Sequence, residues 1–121
     1  MVLLSGIIVM AVFQDVEGPM IYEVDVIPTN PAPGDTISIV IYAIDSSGVS
    51  DAKLSYSINN GDWNVVDMHF YACLCFAGGR WVANFGPLQD GDVGHFFVTA
   101  YDDSANINSA DSQVFSIQVE T

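Results

Sequence analysis

The stretch that decides the fold is Ala52–Trp63, which reads AKLSYSINNGDW. Apolar side chains alternate with polar ones along it, the period-two pattern of a strand with one buried face. The side chains predicted to face inward are Ala52, Leu54, Tyr56 and Ile58. Asn60-Gly61 follows this strand directly and supplies the positive φ angles of a type I′ turn. The sequence therefore predicts a hairpin in which Trp63–Met68 pairs back antiparallel.

On both sides of this hairpin, short apolar runs alternate with turn residues. Thr36–Ile44 is apolar on both faces, which predicts a central strand. Gly78-Gly79 predicts a second hairpin that joins the apolar run His69–Phe76 to a strand at Arg80–Phe85. Trp81, Ala83 and Phe85 would face inward on that strand. Further strands are predicted at Ile21–Ile27, His95–Tyr101 and Val114–Val119. Short strands at such spacing indicate an all-β protein, and we expect an antiparallel sandwich of about seven or eight strands in one domain.

The composition and the net charge limit the classes of molecule that this protein is expected to bind. Only Lys53 and Arg80 are basic against fifteen acidic residues, which gives a formal net charge of −13. Nucleic acids and anionic membrane surfaces attract positively charged proteins, so this charge disfavours both, and cations are the better expectation. A polar surface made mainly of Ser, Asn, Asp, Thr and Gln is typical of an extracellular, cell-surface module.

The region Val16–Thr121 resembles the immunoglobulin-like or fibronectin-like modules of prokaryotic surface proteins. The segments that carry the resemblance are Ala43–Val49 (AIDSSGV), Leu54–Trp63, Gly79–Ala83 and Ala100–Asn106. The resemblance implies an Ig-like β-sandwich, but modules of this class serve as spacers, adhesins and polymer subunits alike. His69–Ala77 is longer and more apolar than this pattern implies, and Met1–Phe13 has no counterpart in it.

The segment Met1–Phe13, MVLLSGIIVMAVF, is apolar except at Ser5 and Gly6. As a helix it would span about 20 Å, less than a bilayer core of roughly 30 Å. As a signal peptide it has a passable cleavage site at Val9-Met10-Ala11 but lacks a basic flank. As a strand it would reach about 43 Å, and both of its faces would be apolar. We therefore expect a strand that lies in a groove, in its own domain or in a neighbour's.

This strand resembles the N-terminal strand of pilus subunits that polymerise by donor-strand complementation. The resemblance implies residues 1–13 as donor strand, 14–19 as hinge and 20–121 as the sandwich. It also implies a homopolymer, because a head-to-tail contact that does not close propagates into a filament. The predicted donor residues are Leu3, Leu4, Gly6, Ile7, Ile8, Val9, Met10, Val12 and Phe13.

Cys73 and Cys75 lie two residues apart and would share one strand face. They cannot form a zinc site alone, because structural zinc takes four ligands. They are interpreted as small buried residues or as a disulfide, either within the pair or between chains.

Acidic loop residues could bind a metal ion. Asp102, Asp103 and Asn106 fall in one loop, and Asp45 falls in another that could lie at the same end of the sandwich. Oxygen ligands of this kind suit Ca²⁺. The alternative is that they are solvated turn residues, since Asp and Asn are common turn formers.

The sequence gives little support for an enzyme. His69 and His95 lie in predicted strands, and no Ser or Cys has the surroundings of a nucleophile elbow. Exposed aromatic residues could instead bind carbohydrate, and the candidates are Trp63, Tyr71 and Trp81, although Trp in such modules often belongs to the core.

The function expected from the sequence is therefore structural. We expect an extracellular filament subunit whose partner is a second copy of itself, with no catalysis, no nucleic acid and no small-molecule substrate. The alternative is a monomeric adhesion, spacer or glycan-binding module with its N-terminal strand folded into its own sandwich.

Overall fold

The structure is a computed structural model that describes residues 18–72 and 79–120. These residues form nine strands, all in antiparallel pairs. Within those residues there is no helix that is long and apolar enough to cross a membrane. The strands are β1 (Met20–Ile27), β2 (Ile37–Ile44), β3 (Val49–Ile58), β4 (Asn64–Asp67), β5 (His69–Tyr71), β6 (Gly79–Phe85), β7 (Val93–Asp102), β8 (Ser109–Asp111) and β9 (Phe115–Gln118).

The strands form two sheets. Sheet A has the order β1-β2-β6-β5, and sheet B has the order β4-β3-β7-β8 with β9 also paired to β7. All pairs are antiparallel. The prediction of an all-β sandwich is confirmed. The strand count exceeds the predicted one partly because β8 lies inside the segment Asp102–Asp111, where a polar sequence gave no strand pattern.

The core lies between the two sheets and includes side chains that the sequence predicts to face inward on β3 and β6. Ala52 and Leu54 on β3 are fully buried, and Trp81, Ala83 and Phe85 on β6 are 4–6% exposed. Phe96 is also fully buried, and its ring stacks on Phe115 at a centroid distance of 5.1 Å. β2 lies between β1 and β6, which confirms the predicted central strand.

One continuous segment crosses from sheet B to sheet A at Met68. β4 pairs with β3, whereas β5 pairs with β6. Met68 stands between them, 4% exposed, and its backbone N–H donates to the Ala52 carbonyl at 2.9 Å. The two predicted runs, Trp63–Met68 and His69–Phe76, therefore meet where the chain passes from one sheet to the other, and this passage closes one side of the sandwich.

The hairpin turn after β3 is placed one residue earlier than predicted. The residues with positive φ are Asn59 (54°) and Asn60 (60°), and the Gly61 N–H donates to the Ile58 carbonyl at 3.0 Å. Asn tolerates the left-handed region better than most residues because its side chain can hydrogen-bond locally. Asn59 also accepts a hydrogen bond at its side-chain oxygen from the Val93 N–H, at 2.9 Å. This contact with β7 favours the turn at Asn59-Asn60 over the predicted Asn60-Gly61.

A bulge interrupts the alternation of β1. Ile21 pairs with Ala43 and Glu23 with Tyr42, so Tyr22 is an extra residue in the strand. Ile21 and Val24 pack against the core, while Tyr22 and Glu23 are both exposed. Simple alternation would group Tyr22 with Val24, and the bulge separates them.

The donor-strand residues of 1–13, the hinge up to residue 17, and Cys73 and Cys75 lie outside the described residues. Their roles stay predictions.

Candidate functional site

The outer face of sheet A presents a row of aromatic and charged side chains across all four strands. The strand register pairs Glu23 with Tyr42, Tyr42 with Arg80, and Arg80 with Tyr71. Neighbouring strands lie about 4.8 Å apart, so these side chains follow one another across the sheet. The bulge adds a further ring to this row, because the Tyr22 centroid is 6.1 Å from that of Tyr42.

Below this row lies a shallow groove of about 300 Å³, which we call the sheet-A groove. Its lining residues are Asp25, Ile27, Val40, Tyr42, Tyr71, Arg80 and Val82. Val40 and Val82 are register partners and form an apolar floor. Apolar and aromatic walls with a few polar groups are typical of small-molecule sites.

Arg80 and Tyr71 form one end of the groove. The Arg80 Cζ atom lies 6.0 Å from the Tyr71 ring centroid, at the outer limit of a cation–π contact. Tyr71 is 49% exposed, which leaves much of its ring open to solvent. The guanidinium donors of Arg80 can bind hydroxyl or carboxylate oxygens beside that ring.

Asp25 lines the opposite end of the groove, and Glu23 lies beside this end, two residues earlier on β1. Both face outward because their partners are Tyr42 and Val40. The hydrogen bond between their side chains raises the pKa of Glu23, and charge repulsion from Asp25 adds to the effect.

A larger opening, of about 770 Å³, lies between β1 and β9. Carboxylate and amide side chains, including Asp25, Gln118 and Glu120, line it. Among residues 18–72 and 79–120, none that lines this opening is aromatic. The described lining therefore offers no aromatic ring on which a planar or ring-shaped ligand could stack.

The three sequence candidates for carbohydrate binding are dispersed by the fold. Tyr71 lies in the sheet-A groove, whereas Trp63 lies on sheet B, where its ring centroid is 5.4 Å from that of Phe97. Trp81 is a core residue that packs on Phe70 at 5.1 Å. Sequence reasoning missed Tyr42, Arg80 and Asp25. The strand pattern of the sequence indicates that these three side chains face outward. Only the register between neighbouring strands places them close to one another.

The predicted calcium residues take part in two neighbouring loops. Asp45 accepts hydrogen bonds from the Ser47 N–H and hydroxyl, at 3.0 and 2.7 Å. The Asp103 N–H donates to the Gly48 carbonyl at 3.0 Å, so the two loops meet. Asn106 is exposed in the second loop. Within residues 18–72 and 79–120 no group of three or more His, Cys, Asp or Glu side chains could hold a metal ion, and calcium binding stays a prediction.

Asp102 organises its loop as a hydrogen-bond acceptor. It is 1% exposed, and its carboxylate accepts from the backbone N–H groups of Ser104 and Asn108, the Ser104 hydroxyl and the Asn108 side-chain amide, at 2.8–3.2 Å. Burial acts to raise the pKa of Asp102, but the hydrogen bonds from Ser104 and Asn108 outweigh it, so that the pKa is lowered.

Because its folded-state pKa is lowered, the ionised Asp102 contributes stability above the pKa of the unfolded chain, and this contribution is lost as the pH falls through the folded-state value. We expect Asp102→Asn to be less stable than the parent near pH 7, and the difference to shrink at a pH of about 3. Urea unfolding at the two pH values measures both effects. The exposed neighbour Asp103, changed to Asn, is the charge-matched control, and an equal loss in both variants would contradict the assigned role.

No protein-family model and no curated protein matches this sequence. Among solved structures, the chain is similar to the crystal structure of a bromine derivative of BhCBM56, a carbohydrate-binding module. The TM-score is 0.56 and the identity 15%, over 81% of this chain and 91% of that one. At this identity the likeness establishes the sandwich fold alone.

This neighbour corrects the predicted partners. It is a carbohydrate-binding module and not a pilus subunit. The expectation of no small-molecule ligand is therefore wrong, because this neighbour belongs to a class that binds sugars. The expected homopolymer and the resemblance to a pilus subunit receive no support.

Proposed function

We propose that this chain is a non-catalytic, extracellular glycan-binding module and that the sheet-A groove is its binding site. The observation that carries the proposal is the pair of groove-lining tyrosines, the half-buried Tyr42 and the exposed Tyr71, on either side of Arg80 above an apolar floor. A sugar ring has apolar C–H faces, which stack on aromatic rings, and hydroxyl groups at its edge. Tyrosine offers both an apolar ring and a polar hydroxyl, and the groove supplies further hydrogen-bonding groups at Arg80 and Asp25.

The solved neighbour supports this proposal. The structural match extends over 81% of this chain, and the neighbour is a carbohydrate-binding module. The groove lies on the outer face of sheet A, and strands rather than loops hold the tyrosines. A rigid platform of this kind loses little conformational freedom when it binds.

The acidic groups of the groove favour binding over hydrolysis. Glycosidases place two carboxyl groups about 5 to 9.5 Å apart, on either side of the scissile bond. Glu23 and Asp25 instead lie two residues apart on the same strand, β1, with their partners side by side on β2. They lie on one strand at one end of the groove, where they can hold a ligand but cannot flank one of its bonds.

The test is glycan binding by tyrosine variants. We expect Tyr42→Ala and Tyr71→Ala each to weaken binding by about 0.5 to 1.5 kcal/mol, the range measured for aromatic contacts, or roughly two- to tenfold in affinity. Affinity electrophoresis in gels that contain neutral or amine-bearing polysaccharides identifies a retarding glycan, and calorimetry with its oligosaccharide measures the affinity.

Trp63→Ala is the matched control, because it removes a half-exposed aromatic ring from the opposite sheet. It should leave binding unchanged. Loss of binding in this variant but not in the two tyrosine variants would move the site to sheet B. Absence of retardation by any of the polysaccharides would contradict the proposed function.

A further inference from the structure

Two carboxyl groups, those of Glu23 and Asp25, lie close together at the β1 end of the groove. Glu23 is exposed, and Asp25 lines the groove beside Val40. The hydrogen bond and the repulsion between the two groups raise the pKa of Glu23. The register partners of the two carboxyl groups on β2 are Tyr42 and Val40, so neither group has a basic residue as its partner.

The neighbouring strands supply little positive charge to this pair. β2 faces it with Tyr42 and Val40. β6 contributes Arg80. Its register partner on β2 is Tyr42, and its guanidinium lies over the Tyr71 ring. His69 is on β5, beyond β6. In the described part of the chain, the ion pairs with N–O distances within 4.0 Å are both made by Lys53, which lies on sheet B.

The charge of the whole chain acts in the same direction. With a formal net charge of −13, the protein repels polyanions and concentrates cations near its surface. A glycan that carries carboxylates or sulfates would approach against this field. A glycan that carries ammonium groups would be attracted, and each ammonium offers three hydrogen-bond donors to carboxylate oxygens.

We propose that the sheet-A groove selects glycans that carry free amines, and that Asp25 and Glu23 are the residues that bind the ammonium group. This inference rests on the proposed function and adds the ligand class. The tyrosines provide stacking for any sugar ring of suitable shape, while the carboxyl pair distinguishes an amino sugar from its N-acetylated form. An acetylated nitrogen has no charge and only one N–H to donate.

The test compares two glucosamine oligomers of equal length, one fully deacetylated and one fully N-acetylated, at a pH at which the amines are protonated. A chelator is present so that no bridging metal ion contributes. We expect the parent protein to bind the deacetylated oligomer roughly three- to tenfold more tightly. Added salt should reduce this preference, because the pair lies at the surface.

The double variant Glu23→Gln/Asp25→Asn should bind both oligomers with the affinity of the parent for the acetylated one. The control Asp62→Asn/Asp103→Asn removes the same charge from exposed loop residues and should keep most of the preference. Thermal unfolding of both variants establishes that they are folded, and the single variants Glu23→Gln and Asp25→Asn should each lose part of the preference.

The outcomes separate the two proposals. Equal binding of both oligomers by the parent, or a preference that survives in the Glu23→Gln/Asp25→Asn variant, would overturn the amine selectivity and leave glycan binding intact. Binding of neither oligomer, together with no retention by the neutral polysaccharides, would remove both. A preference lost equally in the two double variants would attribute it to the net charge and overturn the assignment of Asp25 and Glu23.

Discussion

Replacing Phe96 with alanine is expected to lower the free energy of unfolding by about 3 to 5 kcal/mol. The Phe96 side chain is fully buried and is the largest of the side chains with no exposed surface. Its ring stacks on Phe115 at 5.1 Å and contacts Phe85 at 6.1 Å between centroids. This loss of stability has two parts. The hydrophobic free energy of burying the ring is lost, and a cavity is left between the sheets. Urea unfolding would measure it as a lower midpoint at an unchanged slope.

The neighbouring residue Phe97 provides the control for this prediction. It faces outward on β7, where it contacts the ring of Trp63. Phe97→Ala makes the same chemical change on the outer face and should cost less than about 1.5 kcal/mol, the upper range of an aromatic pair. If both variants lost the same stability, the assignment of Phe96 to the interior face of sheet B would be wrong.

Met68→Ala should also be strongly destabilising, by about 2 to 5 kcal/mol. Met68 stands where the chain leaves β4 and enters β5, and its side chain belongs to the core between the sheets. Truncation leaves a cavity at the one segment that ties the two sheets together along this side. β5 should loosen first, because it has only three residues and pairs with β6 alone.

Two measurements test the effect of Met68. Urea unfolding gives the stability, with Val65→Ala as control, because Val65 is 59% exposed and should cost within about 0.5 kcal/mol. The fluorescence of Trp81, recorded in a Trp63→Phe background, reports on β5, because Phe70 on that strand packs against Trp81. An unchanged Trp81 spectrum with full stability would contradict the role of Met68.

The sequence predicted those parts of the fold that depend on local patterns. The alternation on β3, the inward set Trp81, Ala83 and Phe85, and the central position of β2 are all confirmed. Each follows from side chains that are near one another in the chain, where a period of two residues indicates a buried face. The short strand β8, with the sequence SAD, could not be recognised, because its pairing with β7 depends on backbone hydrogen bonds.

The candidate site depends on relations between distant residues. Tyr42 and Arg80 are register partners, although they lie 38 residues apart in the sequence. Their proximity follows from how β2 and β6 align, which no local pattern specifies. The bulge at Tyr22 is a similar case, because the alternation of β1 gave no sign of an inserted residue. Only Tyr71 was selected from the sequence, as one aromatic candidate among three.

The bulge in β1 also bears on how an edge of sheet A meets other chains. In the described structure β1 is the end strand of sheet A, and such a strand offers backbone groups to which another chain can add. A bulge twists the edge and disturbs the spacing of these groups, and the charges of Glu23 and Asp25 oppose the approach of a second copy. The irregular segment that adds Tyr22 to the tyrosine row therefore also protects an exposed sheet edge against aggregation.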